Sequence, residues 1–158
     1  MIPDPVVSGT EGSCVVKNSP ALRRVDVAAG IIWRGKTILC CQRPAGRVQA
    51  GFWEFPGGKI RPGEDAAHAL QRELEEELGI HVLQSQPLCT FTHCYPEDGL
   101  EVCLHFFHVT SFAGEPRPRE GQNICWQDHH RAGELGFLAA NRELVRTLRP
   151  PQPHDEQG

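Results

Sequence analysis

Three glutamates follow one edge of a segment that has the periodicity of an amphipathic helix. The apolar side of this segment consists of Ala66, Ala67, Leu70, Leu74 and Leu78. At 100° per residue, Glu77 lies roughly 20° from Leu70 and Glu73 roughly 60°, so both glutamates border the apolar arc, with Glu76 farther out. A carboxylate beside buried apolar surface either takes up a proton or binds a cation, and hard oxygen ligands favour Mg²⁺ or Mn²⁺ over zinc. The pattern therefore predicts a divalent metal site on this helix.

The helix itself is predicted over residues 66–78. Asp65 is a suitable N-cap, and Gly79 followed by an apolar residue is typical of a glycine C-cap. Glu73 and Glu77 are like charges four residues apart, which costs a helix about 0.2–0.5 kcal/mol. The alternative is a solvated acidic face on which Arg72 pairs with Glu76. The position of Glu77 within the apolar arc favours the metal site.

A glycine-rich turn precedes the helix. Residues 55–59 read Phe-Pro-Gly-Gly-Lys, and Pro62 and Gly63 form a second turn. Such a loop allows backbone to approach whatever the helix binds, although a plain tight turn has the same composition. It is not a phosphate-binding P-loop, because Ile60 follows Lys59 where serine or threonine is required, and Gly-x-Gly-x-x-Gly is absent.

The remaining periodic segments predict a mixed α and β chain. They are a hairpin of strands 25–33 and 37–42, a second hairpin of strands 88–95 and 102–112 around a turn at 96–99, a strand at 124–126 and a helix at 138–148. The fold class is α+β or α/β, with a mainly antiparallel or mixed sheet. We expect one domain over residues 21–149, a flexible N-terminal extension at 1–20 and a disordered tail at 150–158.

Composition excludes several classes of function. A net charge of −4 argues against stable nucleic acid binding, which needs clustered basic side chains. No stretch of the sequence reaches the roughly 20 apolar residues of a membrane span, and no signal peptide is evident, so we expect a cytoplasmic protein without a membrane partner. Seven cysteines without zinc-ligand spacing indicate reduced thiols. The pairs His93 with Cys94 and His129 with His130 match no zinc motif either.

One set of spaced residues resembles the Nudix box with every defined position filled. It consists of Gly58, Glu64 five residues later, and the run Arg-Glu-Leu-Glu-Glu-Glu-Leu-Gly-Ile at 72–80. The block Trp-Glu-Phe-Pro-Gly-Gly-Lys at 53–59, the later Glu-Gly-Gln at 120–122, Trp126 and residues 137–141 are similar to the MutT branch of the Nudix hydrolases. This resemblance implies an α/β/α sandwich around a mixed sheet, and hydrolysis of a nucleoside triphosphate to monophosphate and pyrophosphate.

The resemblance also implies roles for individual residues. Glu73, Glu76 and Glu77 correspond to metal ligands, together with the carbonyl of Gly57 and with Glu120 on a distant loop. Glu73 or Glu120 would be the general base, and Arg72 would orient the catalytic glutamate. The implied substrate contacts are Arg43 to phosphate, Phe55 and Asn141 to the base, and Glu54, Pro56 and Gly57 along the same strip. Asn141 alone is also compatible with a helix N-cap before Arg142.

The resemblance implies 8-oxo-dGTP as the first choice of substrate and Mg²⁺ as the cofactor, which Mn²⁺ can replace. The protein is expected to be a monomer or a homodimer. One region departs from the pattern: residues 97–101 read Glu-Asp-Gly-Leu-Glu, where a member of the family has an arginine in the strand hairpin near its active site. Residues 49–55 also look like those of relatives that prefer pyrimidine triphosphates such as CTP. The alternative from another class is a non-catalytic module that binds oxidised bases, and the complete set of glutamates argues against it.

Overall fold

The computed structural model describes residues 22–152. The predicted extension at 1–20 and residues 153–158 of the predicted tail lie outside the described residues. The elements follow the order β1 (Arg23–Arg34), β2 (Thr37–Gln42), β3 (Trp53–Glu54), β4 (Gly57–Lys59), α1 (Ala66–Leu78), β5 (His81–Tyr95), β6 (Leu100–Ala113), β7 (Asn123–Asp128) and α2 (Ala139–Thr147). Short 3₁₀ turns occur at Pro96–Asp98 and Ala132–Glu134.

Strand β1 organises a seven-stranded mixed sheet. It runs parallel to β6 and antiparallel to β2 and β4, while β5 pairs with the outer side of β6. Strand β2 in turn pairs with β3 and β7. The predicted mixed sheet is therefore confirmed, as are both predicted hairpins.

The two faces of the sheet bury separate apolar clusters, and each cluster includes one helix. On one face, α1 contributes Leu70, Leu74 and Leu78 to a cluster that also contains Ile32 and Val109. On the other face, α2 packs against a cluster that includes the aromatic side chains Phe55, Phe106 and Phe137. Because successive strand residues point to opposite faces, one sheet supplies both clusters. The architecture is the predicted α/β/α sandwich.

Several element bounds differ from the predictions. Strand β5 begins at His81 instead of residue 88. The first half of the strand was not predicted because it is polar and includes Pro87, and its pairing with β6 is irregular, with several register shifts. Residues Gly57–Lys59, predicted as a turn, form a short strand paired with β1. Helix α2 has Leu138 as its N-cap residue, so the N-cap interpretation of Asn141 is wrong.

The cysteines and helices bear on two of the predicted exclusions. Cys94 is disulfide-bonded, so the prediction that all thiols are reduced is wrong at this position. Within residues 22–152, neither helix is long and apolar enough to cross a bilayer. The free thiols in this part of the chain are Cys40, Cys41, Cys89, Cys103 and Cys125.

Candidate active site

Helix α1 is fixed at both ends by its own sequence. The side chain of Asp65 accepts a hydrogen bond from the backbone N–H of His68 at 2.8 Å, which satisfies a free donor of the first turn. Gly79 has φ 69° and donates its N–H to the carbonyl of Glu75. This left-handed conformation favours glycine, so the helix ends where the sequence predicts.

The packing of α1 carries two of its glutamates into buried positions. Glu77 is 4% exposed and Glu73 is 8% exposed. Glu77 Oε2 accepts a hydrogen bond from the N–H of Gly57 at 3.0 Å, which ties the helix to β4. Burial raises the pKa of Glu77 to about 8, and the nearby carboxylates of Glu120 and Glu73 contribute in the same direction. A partner that carries positive charge would favour the ionised form of this carboxyl.

The glycines of β4 provide the space for this arrangement. A Cβ at Gly57 would overlap the carbonyl oxygen of Ala28 on β1, and a Cβ at Gly58 would overlap the carboxyl group of Glu73. Any larger residue at Gly58 would therefore displace that carboxylate. Neither glycine has a positive φ, so the backbone conformation does not require glycine here. Glycine is required because β1 and the carboxyl group of Glu73 lie too close for a side chain.

Arg72 connects the segment that precedes the helix to the glutamates on the helix. Its guanidinium donates to Glu64 at 2.8 and 2.9 Å and to the carbonyl of Lys59 at 3.0 Å. It also donates to Glu73 Oε1 at 2.8 Å and lies 3.6 Å from Glu76. The bidentate pairing with Arg72 lowers the pKa of Glu64 to about 2. The pairing of Arg72 with Glu76, which the solvated-face alternative predicted, is present. It is one part of a network in which Arg72 also holds Glu73.

The loop before β7 brings Glu120 to the same region. Arg119 donates its N–H to the carbonyl of Glu77 at 3.1 Å, at the C-terminal end of α1. The buried side chain of Gln122 accepts from the N–H of Glu120 at 2.8 Å and donates to the carbonyl of Glu77 at 3.4 Å. Gln122 thus links the backbone of Glu120 to the backbone of Glu77. The role of Gln122 was not predicted, and its only sequence signal is its place beside Glu120.

The carboxylates fit a hard divalent cation, with some rearrangement. Glu76 is 51% exposed in its side chain, and Glu120 is exposed. Within residues 22–152, no three of the four glutamates Glu73, Glu76, Glu77 and Glu120 bring their oxygens within 4.8 Å of one another. Binding of a shared ion therefore requires rotation of the exposed side chains toward the buried ones. The oxygen-only donor set and the buried Glu77 carboxyl suit Mg²⁺ or Mn²⁺.

A second group of predicted residues lies along β2, β3 and α2. Arg43 and Glu54 form a buried ion pair at 3.2 Å, and Arg43 Nε also donates to the carbonyl of Val48 at 2.9 Å. Burial raises the pKa of Glu54, and Arg43 opposes that shift. The guanidinium is thus already engaged, and its contact with substrate phosphate stays a prediction.

Asn141 and Phe55 are both buried, with different consequences. Asn141 is 1% exposed, and its Oδ1 has no hydrogen-bond partner within the described residues. A buried amide oxygen without a partner is costly and marks a position where a ligand can supply the donor. The ring of Phe55 packs against Phe106 and Phe137 in the core. Any contact between Phe55 and a base would therefore involve the backbone of Phe55. The carbonyl of the next residue, Pro56, accepts a hydrogen bond from the N–H of Gly30.

The sequence matches a family model over nearly all of the described part. The model, described as the NUDIX domain, covers residues 23–148. The chain belongs to the Nudix family. The predicted resemblance is confirmed, and with it the fold.

Relatives of this Nudix chain carry two kinds of name. The CTP pyrophosphohydrolase of Escherichia coli K12 is 36% identical over 137 residues, which cover 85% of this chain and 100% of that protein. The 8-oxo-dGTP diphosphatase of Haemophilus influenzae is 40% identical over 126 residues, covering 78% of this chain and 90% of that protein. A solved MutT structure, from a study of the Aliivibrio salmonicida and Vibrio cholerae proteins, superposes with a TM-score of 0.69 at 36% identity, covering 78% and 98% of the two chains. This Nudix protein is therefore a hydrolase of phosphorus anhydrides.

The linkage through Gln122 gives a first test of this Nudix site. We expect Gln122→Ala to lower kcat/KM about tenfold to a hundredfold and to raise the Mg²⁺ concentration needed for half-maximal rate, because Glu120 loses its tie to α1. A Mg²⁺ titration of the rate measures this. Gln71→Ala, at an exposed position of the same helix, is the matched control. An unchanged Mg²⁺ requirement in Gln122→Ala would contradict the positioning role.

The raised pKa of Glu77 predicts a pH dependence of stability in metal-free protein. Between the ordinary value of 4.5 and about 8, the folded state holds a proton that the unfolded state has released. The free energy of unfolding should therefore fall as pH rises from 4.5 to 8, by up to a few kcal/mol. Urea unfolding in EDTA at pH 5 and pH 8 measures this. In Glu77→Gln this contribution should vanish, whereas an equal fall in both proteins would assign the pH dependence to other groups.

Proposed function

We propose that this protein is a Mg²⁺-dependent nucleoside triphosphate pyrophosphohydrolase whose preferred substrate is 8-oxo-dGTP. The observation that carries the proposal is the placement of Glu73 and Glu77 in buried positions against the glycines of β4, with Glu120 tied to the same helix through Gln122. This arrangement concentrates carboxylate oxygens at one edge of α1. A divalent cation held by such carboxylates can bind the phosphate oxygens of a triphosphate and neutralise their charge.

Glu73, Glu76, Glu77, Glu120 and the carbonyl of Gly57 would hold the ion, with Mn²⁺ as a possible substitute for Mg²⁺. A bound divalent ion neutralises charge on the phosphate oxygens and fixes their geometry. The residues of the chain supply the rest. Arg72 holds Glu73 in a single orientation through its bond to Oε1. In the proposed reaction, Glu73 or Glu120 accepts the proton of the water that attacks phosphorus, and the anhydride bond to pyrophosphate breaks.

The proposed base recognition rests on Asn141. Its buried amide presents an acceptor without a partner in the described residues, together with an NH₂ donor. Such a pair can distinguish an oxidised purine, which has gained an N–H, from the unmodified base. Glu54, Phe55 and Pro56 directly follow Trp53, whose carbonyl accepts a hydrogen bond from the N–H of Leu138 at 2.9 Å. This bond places the segment beside the start of α2. Arg43, paired with Glu54, would face the phosphates from this side.

A second candidate is a CTP or dCTP pyrophosphohydrolase. The relative of that name is covered over its entire length, and the turn at Pro96–Gly99 has acidic residues in place of the arginine that the resemblance implied. The alternative of a non-catalytic module that binds oxidised bases disagrees with membership of this hydrolase family. The retained carboxylate cluster argues against it, because a binding module has no need of metal ligands.

The first two candidates are distinguished by the ratio of their kcat/KM values for purine and pyrimidine triphosphates. We expect kcat/KM for 8-oxo-dGTP to exceed that for dGTP, CTP, dCTP and 5-methyl-dCTP, measured as pyrophosphate release with Mg²⁺. A preference for the pyrimidines would overturn the 8-oxo-dGTP assignment and favour the second candidate. Absence of pyrophosphate release from all five would overturn the 8-oxo-dGTP assignment and point to another phosphorus anhydride as the substrate. As a sanitiser of the nucleotide pool, the proposed enzyme would act in the cytoplasm on free nucleotides, without stable nucleic acid binding, as a monomer or homodimer.

A further inference from the structure

A second cluster of metal-ligating side chains lies away from the glutamates of α1. Asp26 on β1 and Cys103 and His105 on β6 bring their ligand atoms within 4.8 Å of one another. Asp26 and Cys103 are direct partners in the parallel pairing of these strands. Cys103 and His105 are two residues apart on one strand, so they share a face of the sheet. The cluster is thus a product of the strand register.

One residue of the cluster is buried, and the other two are partly exposed to solvent. Cys103 is 2% exposed, whereas the side chains of His105 and Asp26 are 28% and 36% exposed. These two side chains line a cleft whose other wall is the segment before α1, which includes Arg61, Pro62 and Glu64. An ion can therefore reach the ligand atoms from solvent, while the two paired strands hold their backbones in place.

The charges of the cluster also suit a cation. His105 Nε2 lies 3.0 Å from Asp26 Oδ1, and the exposed Arg24 donates to the same oxygen at 3.1 and 3.3 Å. The carboxylate of Asp26 accepts these hydrogen bonds and supplies the negative charge of the cluster. A metal between His105 and Asp26 would replace the proton that they share, and Arg24 is free to move into solvent.

We propose that Asp26, Cys103 and His105 form a site for a borderline divalent transition metal such as Zn²⁺. The reason is the donor set: one thiolate, one imidazole and one carboxylate are ligands that zinc binds tetrahedrally, with a fourth position left for water. Mg²⁺ avoids sulfur and requires oxygen ligands, so the site differs in metal preference from the glutamates of α1. The proposal goes beyond nucleotide hydrolysis and does not depend on it.

Co²⁺ is the probe, because a thiolate bound to Co²⁺ gives a sulfur-to-metal charge-transfer absorption that carboxylates do not give. Metal-stripped protein without a histidine tag is titrated with Co²⁺ in excess Mg²⁺, which fills oxygen-only sites. We expect one equivalent of Co²⁺ to produce the charge-transfer band and the visible bands of tetrahedral cobalt, and Zn²⁺ to abolish both.

Variants assign the signal to the cluster. Cys103→Ser should remove the charge-transfer band, and His105→Gln should weaken Co²⁺ binding by more than about tenfold. His105 is partly exposed, so the second variant serves where Cys103→Ser fails to fold. Cys125→Ser, at another free thiol, should leave the titration unchanged. Absence of the band in the wild-type protein, or a band that survives in Cys103→Ser or His105→Gln at full affinity, would overturn the proposal and leave the cluster as a hydrogen-bonded network.

Discussion

Replacing Glu77 by glutamine is expected to lower kcat for triphosphate hydrolysis by about two to three orders of magnitude. Glutamine has nearly the same volume, and its amide oxygen can still accept the hydrogen bond that the N–H of Gly57 now donates to Glu77. The fold should therefore survive, while one negative charge is lost at the proposed metal site. The measurement is pyrophosphate release at saturating substrate over a range of Mg²⁺ concentrations.

Glu75→Gln is the matched control for this variant. Glu75 lies on the exposed side of the same helix, two residues away, and the substitution makes the same change of charge. Its rate should stay within about twofold of the wild-type rate, since the charge of an exposed residue is screened by solvent. Equal losses in both variants would point to the general charge of α1, and an unchanged rate in Glu77→Gln would remove Glu77 from the proposed metal site.

Gly58→Ala is the second substitution with a large expected effect. The new Cβ would overlap the carboxyl group of Glu73, which must then move away from its bond with Arg72. Because a displacement of about 1 Å can cost about a hundredfold in rate, we expect a loss of at least that size in kcat/KM. Thermal unfolding measured beside the rate separates displacement of the carboxylate from loss of the fold.

A glycine in open space provides the comparison for Gly58→Ala. A Cβ at Gly136 would have no atom within 4 Å, and its φ is not positive. Gly136→Ala should therefore keep wild-type activity and be neutral or slightly stabilising, because alanine restricts the unfolded chain. Full activity in Gly58→Ala would show that Glu73 tolerates displacement and would argue against its role in the reaction.

Local signals made the helix that bears the glutamates predictable. Asp65 and Gly79 act within one turn of the backbone, so the bounds of α1 follow from neighbouring residues alone. The buried position of Glu77 follows from the same periodicity. Features that depend on a distant partner were harder to predict. Strand β4 exists because two glycines let its backbone approach β1, and the sequence alone shows only a pair of glycines.

The candidate site shows the same division. Asn141 had a plausible local role as an N-cap, but the helix begins at Ala139, as the predicted segment 138–148 indicated, and the N–H of its N-cap residue Leu138 bonds to the carbonyl of Trp53. The part played by Gln122 depends on contact with Glu77, which is 45 residues away. The cluster of Asp26 and His105 joins residues 79 apart through strand register. Such tertiary contacts have no local sequence pattern.

In the proposed reaction, the acidic edge of α1 holds a divalent ion beside the triphosphate. The most direct measurement is anomalous diffraction from crystals grown with Mn²⁺ and a non-hydrolysable nucleoside triphosphate. We expect an anomalous peak whose protein ligands include carboxylate oxygens of Glu73 and Glu77, with phosphate oxygens as further ligands. Bound nucleotide without an anomalous peak at these glutamates, or with Mn²⁺ held by other residues alone, would contradict it.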